Sequence, residues 1–352
     1  MESNLRPLTL GEILDRTAQL YRTNFLLLAG IAAVYAGVGM VLNLLDIGLS
    51  EMLTALHQGM RLHWTVQVFS GVALVVIVLF GNVAGAANNR AVAWVHLGET
   101  ATIGGAYRGI VSRLGRYLWL GCLKFLFAWT PLAVLYGGFV GTYLYYVARG
   151  VLPQPGAPPA AAPAGGDPAM IVFGVVTIAF GLLFFPAFIY GTFMSLRYAL
   201  AVPASVVENL RARNAIRRSI ELTKGARGRI FVLFLLVGVI ETGFLALTQG
   251  FFIVYALRHQ ANVPVALRIL QQIVFFITNS FVAPIPATGL TVFYYDQRVR
   301  KEGFDIEWMM QAAGLTAPGP VAALAAPGEV DGVAPELEPS EPAMPDADSA
   351  HE

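Results

Sequence analysis

Charged residues are scarce in this sequence. Asp, Glu, Lys and Arg make up 13% of the 352 residues and hydrophobic residues make up 56%, whereas a soluble domain carries about 25% charged residues. This composition excludes an ordinary soluble protein. Cys122 is the single cysteine, which excludes an intramolecular disulfide. Because Cys122 lies within an apolar run, we predict that it is a small packing residue.

Catalytic motifs are also missing. The sequence contains no HExxH segment, no GxSxG segment and no pair of aspartates within an apolar run, which are the signatures of common hydrolases. Recognisable nucleic-acid-binding modules are absent as well. We therefore predict no enzyme, no catalytic, cofactor or metal site, and no nucleic-acid partner.

Long apolar runs are abundant. A helix that crosses the hydrocarbon core of a bilayer, which is about 30 Å thick, needs roughly 20 mostly apolar residues. Six runs meet this requirement, at residues 25–45, 66–87, 117–147, 169–196, 230–257 and 269–293. The sequence therefore predicts an all-α membrane protein, with a bundle of about six transmembrane helices in a membrane domain over residues 25–296.

Four segments differ in composition from these runs. Residues 1–24 are predicted to form an amphipathic cytoplasmic helix, and residues 297–316 a cytoplasmic segment at the membrane surface. Residues 152–168 are rich in Pro, Ala and Gly, and residues 317–352 are acidic and rich in Pro and Ala. Neither can bury much apolar surface, so we predict a flexible outside loop and a disordered tail.

The distribution of Lys and Arg predicts the orientation, because basic residues of short loops are retained in the cytoplasm. Arg61, Arg149, Arg258 and Arg268 fall on one side of the predicted membrane, and the other basic residues outside the runs fall on the opposite side. We therefore predict that the N-terminus and the C-terminus are both cytoplasmic.

Short amphipathic segments precede the first, third and fifth runs. Each segment has an arginine shortly before its run, at Arg22, Arg116 and Arg229. The pattern favours three repeated units, each with a helix at the membrane surface followed by two spans. The alternative is that basic inner loops of a membrane protein are amphipathic without any duplication.

Three sequence segments resemble a known family. They are PLTLGEILDRTAQLYRTNF from Pro7, AIRRSIELTKG from Ala215 and YYDQRVRKEGFDIE from Tyr294, and they are similar to the bacterial glycerophosphoryl diester phosphodiesterase membrane domain family. The resemblance implies a stand-alone domain of the bacterial cytoplasmic (inner) membrane. It implies no phosphodiesterase activity, because the catalytic barrel fused to some members needs about 250 further residues.

Lys124 and Glu241 are the ionisable residues well inside the predicted spans. Such residues usually pair inside the bundle or mark a transport path, because a charge that faces lipid costs several kcal/mol. We predict an ion pair between Lys124 and Glu241. The alternatives are a proton or substrate site at Glu241, and a Lys124 side chain that extends back to the headgroups.

The densest basic cluster lies before the fifth run. Its members are Arg211, Arg213, Arg217, Arg218, Lys224, Arg227 and Arg229. Basic residues near an anionic membrane surface contribute about 1 kcal/mol each to binding. We predict that these residues contact lipid headgroups, the alternative being an ordinary excess of basic residues in an inner loop.

These patterns leave three classes of function. The first is a non-enzymatic membrane protein that organises the membrane or supports a partner, with membrane lipids, itself or another membrane protein as partners. The second is a small transporter or channel that uses Lys124 and Glu241, which requires a water-filled cavity reaching Glu241. The third, an intramembrane enzyme, lacks the expected signatures.

The predicted orientation can be measured with reporter fusions. We expect a green fluorescent protein fused after Glu352 to fluoresce, because it folds in the cytoplasm. We expect alkaline phosphatase inserted within residues 152–168 to be active, because it folds only outside. The reverse pattern would contradict the orientation.

Overall fold

Every regular element in the computed structural model is an α-helix, for the residues that it describes. These are residues 6–56, 59–152, 168–259, 263–304, 306 and 310, with the backbone alone for residues 59–64. The helices are α1 (Leu10–Thr23), α2 (Phe25–Ala55), α3 (Gly59–His96), α4 (Ile103–Val111), α5 (Leu114–Ala148), α6 (Pro168–Arg197), α7 (Ala201–Val207), α8 (Ala212–Thr223), α9 (Arg227–Arg258), α10 (Val265–Val282) and α11 (Pro284–Glu302).

Six stretches among the described residues are long and apolar enough to cross a membrane. We number them spans 1 to 6, and they cover Phe25–Ala55, Thr65–His96, Leu114–Ala148, Pro168–Val207, Arg227–Arg258 and Val265–Glu302. The prediction of an all-α bundle with six spanning helices is confirmed. Spans 4 and 6 extend beyond the predicted runs because each consists of two helices, α6 with α7 and α10 with α11.

Two predicted segments fall largely or wholly outside the described residues. The predicted loop at 152–168 is described only at its two end residues, and the predicted tail at 317–352 is not described. Of the predicted surface segment at 297–316, residues 297–304, 306 and 310 are described, and α11 continues into it as far as Glu302.

Most of the span surface is apolar and exposed. Leu26, Leu182 and Leu247 are 82%, 71% and 80% exposed. A soluble protein rarely exposes apolar patches of such extent, so this surface matches contact with lipid chains. The closest helix packing within the spans joins α2 with α3, α2 with α10, and α5 with α6.

The main core lies at one end of the bundle, where α3, α7 and α11 meet. We call this end, which also carries α1, α4 and α8, the basic end. Its core contains large buried side chains of α7 and α11, together with Phe304 just after α11: Val206, Val207, Val292, Phe293, Tyr294, Tyr295 and Phe304. The end of α3, together with α7 and α11, forms the ends of spans 2, 4 and 6, so the even-numbered spans form the centre of the basic end.

The three short amphipathic helices occupy equivalent positions around this core. Helix α1 packs on α11, α4 packs on α3, and α8 packs on α7. Each short helix therefore lies against the end of an even-numbered span and leads into an odd-numbered one. This arrangement is compatible with three repeated units, which stay a prediction.

Local sequence explains where α1 begins. Thr9 accepts a hydrogen bond from the Glu12 amide, and the Glu12 carboxylate accepts one from the Thr9 amide at 2.7 Å. This reciprocal capping satisfies two amides of the first turn. The Thr9 amide and the neighbouring Arg6 lower the pKa of Glu12 to about 2. The Glu12 carboxylate thus contributes to capping at neutral pH. This contribution is lost only as the pH falls from the ordinary pKa of a glutamate towards 2.

Spans 4 and 6, which each consist of two helices, are stabilised in different ways where those helices meet. Between α6 and α7, the Leu200 amide donates to the Ser219 hydroxyl at 3.1 Å, and that hydroxyl donates to the Arg197 carbonyl at 2.8 Å. A side chain of α8 thus replaces helix hydrogen bonds at this break. Between α10 and α11, Pro284 begins the new helix, where its missing N–H removes no helical bond.

The prediction for Cys122 is wrong, because this residue is exposed on α5. Close approach of α5 and α6 occurs instead at Gly191. A Cβ atom there would lie 2.9 Å from the Trp129 ring and 3.1 Å from the backbone oxygen of Ala128. Backbone of one helix therefore contacts backbone of the next, as small residues permit in membranes.

The Gly191→Ala substitution should destabilise the protein by about 1–3 kcal/mol, because the backbone of α5 must move away from the added methyl group. Gly181→Ala in the same helix is the matched control, since no atom lies within 4 Å of its added Cβ. Thermal unfolding of both variants in detergent measures the difference. Equal midpoints for the two variants would contradict close packing at Gly191.

Candidate functional site

The structure does not bring Lys124 and Glu241 together. Both side chains are half-buried, on α5 and α9, and no ion pair among the described residues joins them. Helix α5 packs chiefly on α6, α3 and α8, whereas α9 packs chiefly on α10. The two helices that carry the residues are therefore not principal neighbours, and the predicted ion pair is not formed. The alternative site at Glu241 stays a prediction.

The predicted basic cluster divides into two groups. Arg218 and Arg229 are half-buried and form ion pairs. Arg227 is also half-buried, with its guanidinium carbon 5.1 Å from the centre of the Phe193 ring. The remaining members are exposed and form no ion pair with a described residue: Arg211, Arg213, Arg217 and Lys224.

Asp296 is the centre of the first ion-pair network. Its side chain is fully buried, and it accepts from Arg300 Nε at 2.9 Å, from Arg229 Nη1 at 3.2 Å and from the Leu8 amide at 2.8 Å. Arg229 also donates to the Leu8 carbonyl at 2.8 Å. One buried carboxylate therefore joins the segment before α1, the start of α9 and the end of α11.

Glu208 and Glu302 are the centres of a second network. Glu208 pairs with Arg218 at 2.9 Å and accepts from the Tyr294 hydroxyl at 2.6 Å. Glu302 pairs with Arg218 and with Arg298, the latter at 3.1 Å. This network fixes α8 against α7 and α11, so it positions the exposed arginines of α8.

Two arginines that sequence analysis did not assign to a site converge on Asn209. The Asn209 side-chain oxygen accepts from Arg113 and, at 2.6 Å, from Arg116. Arg116 also donates to the Tyr117 hydroxyl at 2.8 Å. Arg113 directly precedes span 3 and Arg116 lies in its first turn, 96 and 93 positions from Asn209, and no spacing in the sequence relates the two segments.

A small cavity lies between α3, α7 and α11. Its volume is about 20 Å³, and Arg90, Glu99 and Tyr295 contribute polar groups to its wall. The Tyr295 hydroxyl and Arg90 Nε are buried without a hydrogen-bond partner among the described residues, and burial raises the pKa of Glu99. This volume accommodates one water molecule, which can bridge these groups, and it is too small for a substrate.

The chain matches no protein-family model, no curated protein and no solved structure. Fold and site define its class as a polytopic helical membrane protein whose basic end is stabilised by buried ion pairs. The resemblance to the membrane domain family stays a prediction from the three segments that carry it.

The Asp296→Asn substitution should destabilise the protein by about 3 kcal/mol, because it leaves Arg229 and Arg300 without their buried counter-charge. Asp15→Asn is the control: Asp15 is exposed on α1, and its change should stay within about 0.5 kcal/mol. Thermal unfolding in detergent measures both variants. An unfolding midpoint of Asp296→Asn equal to that of wild type would contradict the structural role of this network.

Proposed function

We propose that this protein is a non-enzymatic membrane protein whose basic end faces the cytoplasm and binds anionic lipid headgroups, thereby organising lipid around the bundle. The single observation that carries the proposal is the division of the basic cluster. Carboxylates neutralise Arg218 and Arg229 inside the basic end, whereas Arg211, Arg213, Arg217 and Lys224 are exposed and form no ion pair with a described residue.

The orientation of α8 supports the proposal. The helix buries Ala215, Ile216, Ser219 and Leu222 against the basic end, and Arg213 and Arg217 lie on its exposed side. The second network holds the helix in this position through Arg218. A rigid helix that presents clustered guanidinium groups loses little side-chain entropy when phosphates bind, which favours lipid contact.

A transporter or channel is the second proposal. Lys124 and Glu241 are half-buried within spans 3 and 5 and form no ion pair with a described residue, and ionisable residues in that position often mark a transport path. The open cleft of about 980 Å³ between α2, α9 and α10 is lined by Glu51, Arg268 and Gln271 among others, and its lining does not include Lys124 or Glu241. This proposal therefore has weaker support.

The lipid proposal can be tested by neutralising the exposed cluster. The combined variant Arg213→Gln, Arg217→Gln, Lys224→Gln should lower the enrichment of spin-labelled phosphatidylglycerol over phosphatidylcholine around the protein in nanodiscs. We expect the enrichment to fall roughly fivefold for each charge that contacts lipid in the wild type, because each such charge contributes about 1 kcal/mol. High salt should lower the wild-type enrichment in the same way, because exposed charges are screened.

Arg149→Gln with Arg258→Gln is the control variant. Both residues are exposed at the opposite end of the bundle and are not clustered, so their loss should change the enrichment much less. The unfolding midpoint should stay unchanged in both variants, since none of the substituted residues forms an ion pair with a described residue. Unchanged enrichment in the combined cluster variant would contradict the proposed function.

A further inference from the structure

A basic groove lies at the edge of the basic end, between the end of α4, the start of α5 and the start of α8. Its volume is about 700 Å³, and its wall includes Arg113, Arg116, Arg211, Leu114, Gly115 and Trp119. The groove is shallow and open to its surroundings. Three arginines from two distant segments of the chain therefore share one concave surface.

The groove concentrates positive charge without a counter-charge. No acidic side chain belongs to its lining, and Arg113 and Arg116 both donate to the neutral side-chain oxygen of Asn209. Asn209 adopts a left-handed backbone conformation, with φ of 55°, which is uncommon for a residue other than glycine. The chain thus holds two like charges together with an amide, and an anion between them would stabilise the arrangement.

Arg116 is held at the groove by contacts within the protein. Its guanidinium carbon lies 4.9 Å from the centre of the Tyr117 ring, and Tyr117 is buried. Its Nη atoms donate to both oxygens of Asn209 and to the Tyr117 hydroxyl. Arg113 beside it is exposed, and guanidinium groups bind phosphate oxygens through paired, charge-assisted hydrogen bonds, so the arginines together offer donors to a phosphate group.

The two helix starts add to this preference. Helices α5 and α8 begin in the groove after Arg113 and Arg211, and neither of these residues caps its helix with a side-chain hydrogen bond. The helix dipole favours an anion at such a terminus. This contribution reinforces the three arginines.

The surroundings of the groove favour a lipid over a soluble phosphate compound. Trp119 and Val111 line the groove and are 54% and 58% exposed, and Trp119 lies little more than one turn inside span 3. Tryptophan at this depth favours the boundary between headgroups and acyl chains. An anion in the groove therefore has an apolar, membrane-facing surface beside it.

We propose that this groove is a specific binding site for one anionic phospholipid, with the phosphate on Arg113, Arg116 and Arg211 and the start of the acyl chains along Trp119. This inference deepens the proposed function and rests on its assignment of the basic end to the lipid headgroup layer. The two proposals share Arg211, but the variant that tests the diffuse attraction changes only Arg213, Arg217 and Lys224 and leaves the three arginines of the groove intact.

Native mass spectrometry of the full-length protein, released from nanodiscs with equal amounts of phosphatidylglycerol and phosphatidylcholine, tests the site. We expect one phosphatidylglycerol molecule per chain to be retained after a high-salt wash. The combined variant Arg113→Gln, Arg116→Gln, Arg211→Gln should lower this retention about tenfold or more, since it removes the charge-assisted bonds.

Asn209→Asp is a second variant that tests the same site in case the triple variant does not fold. It keeps the shape of the side chain and its acceptor oxygen, and aspartate tolerates the left-handed backbone. The added carboxylate would form ion pairs with Arg113 and Arg116 and so neutralise their charge. We therefore expect this variant to fold fully and to retain about tenfold less lipid. Retained phosphatidylglycerol at the wild-type level in both groove variants would overturn the inference.

Three further outcomes separate this inference from the proposed function and from binding of free phosphate. If Arg213→Gln, Arg217→Gln, Lys224→Gln abolishes the enrichment of anionic lipid but leaves the single retained molecule, both proposals stand. If that variant abolishes the enrichment and the retained molecule, and the groove variants change neither, the groove assignment falls and the proposed function stands. If inorganic phosphate raises the unfolding midpoint in phosphatidylcholine nanodiscs as much as phosphatidylglycerol does, the assignment to a lipid falls.

Discussion

The buried carboxylate of Asp296 is the interaction on which the basic end depends. An ionised carboxylate without partners is very costly in a protein interior, so the fold must supply counter-charges, and Arg229 and Arg300 do so. The Leu8 amide completes the set of partners. Because these groups come from the first, middle and last parts of the chain, satisfying one carboxylate also joins these three parts at the basic end.

The packing at the basic end explains why the basic residues fall into two groups. At the centre of the basic end, α3, α7 and α11 pack together, and carboxylates at the end of α7 and on α11 form ion pairs with Arg218, Arg229, Arg298 and Arg300. On its outside, α8 holds further arginines away from those carboxylates. Basic residues in one short segment thus differ in role, since successive residues of a helix point in directions about 100° apart.

The membrane part of the bundle follows a different constraint. Its apolar side chains are largely exposed, because in lipid a helix need not bury an apolar face against protein. Where helices do approach closely, as α5 and α6 do at Gly191, a small residue permits it. Lys124 and Glu241 lie in this part, and counting residues along a span gives the depth of a charge but not the direction in which it points.

The sequence by itself determined the helical class and the six spans, because the length of an apolar run and the thickness of a bilayer suffice for that. The cyclic positions of α1, α4 and α8 match the three units expected from the amphipathic segments. Only the tertiary structure decided which arginines are neutralised and which are exposed, where Cys122 lies, and that Lys124 and Glu241 do not pair. It alone brought Arg113 and Arg116 to Asn209, because convergence of distant segments depends on how whole helices pack, which no local pattern encodes.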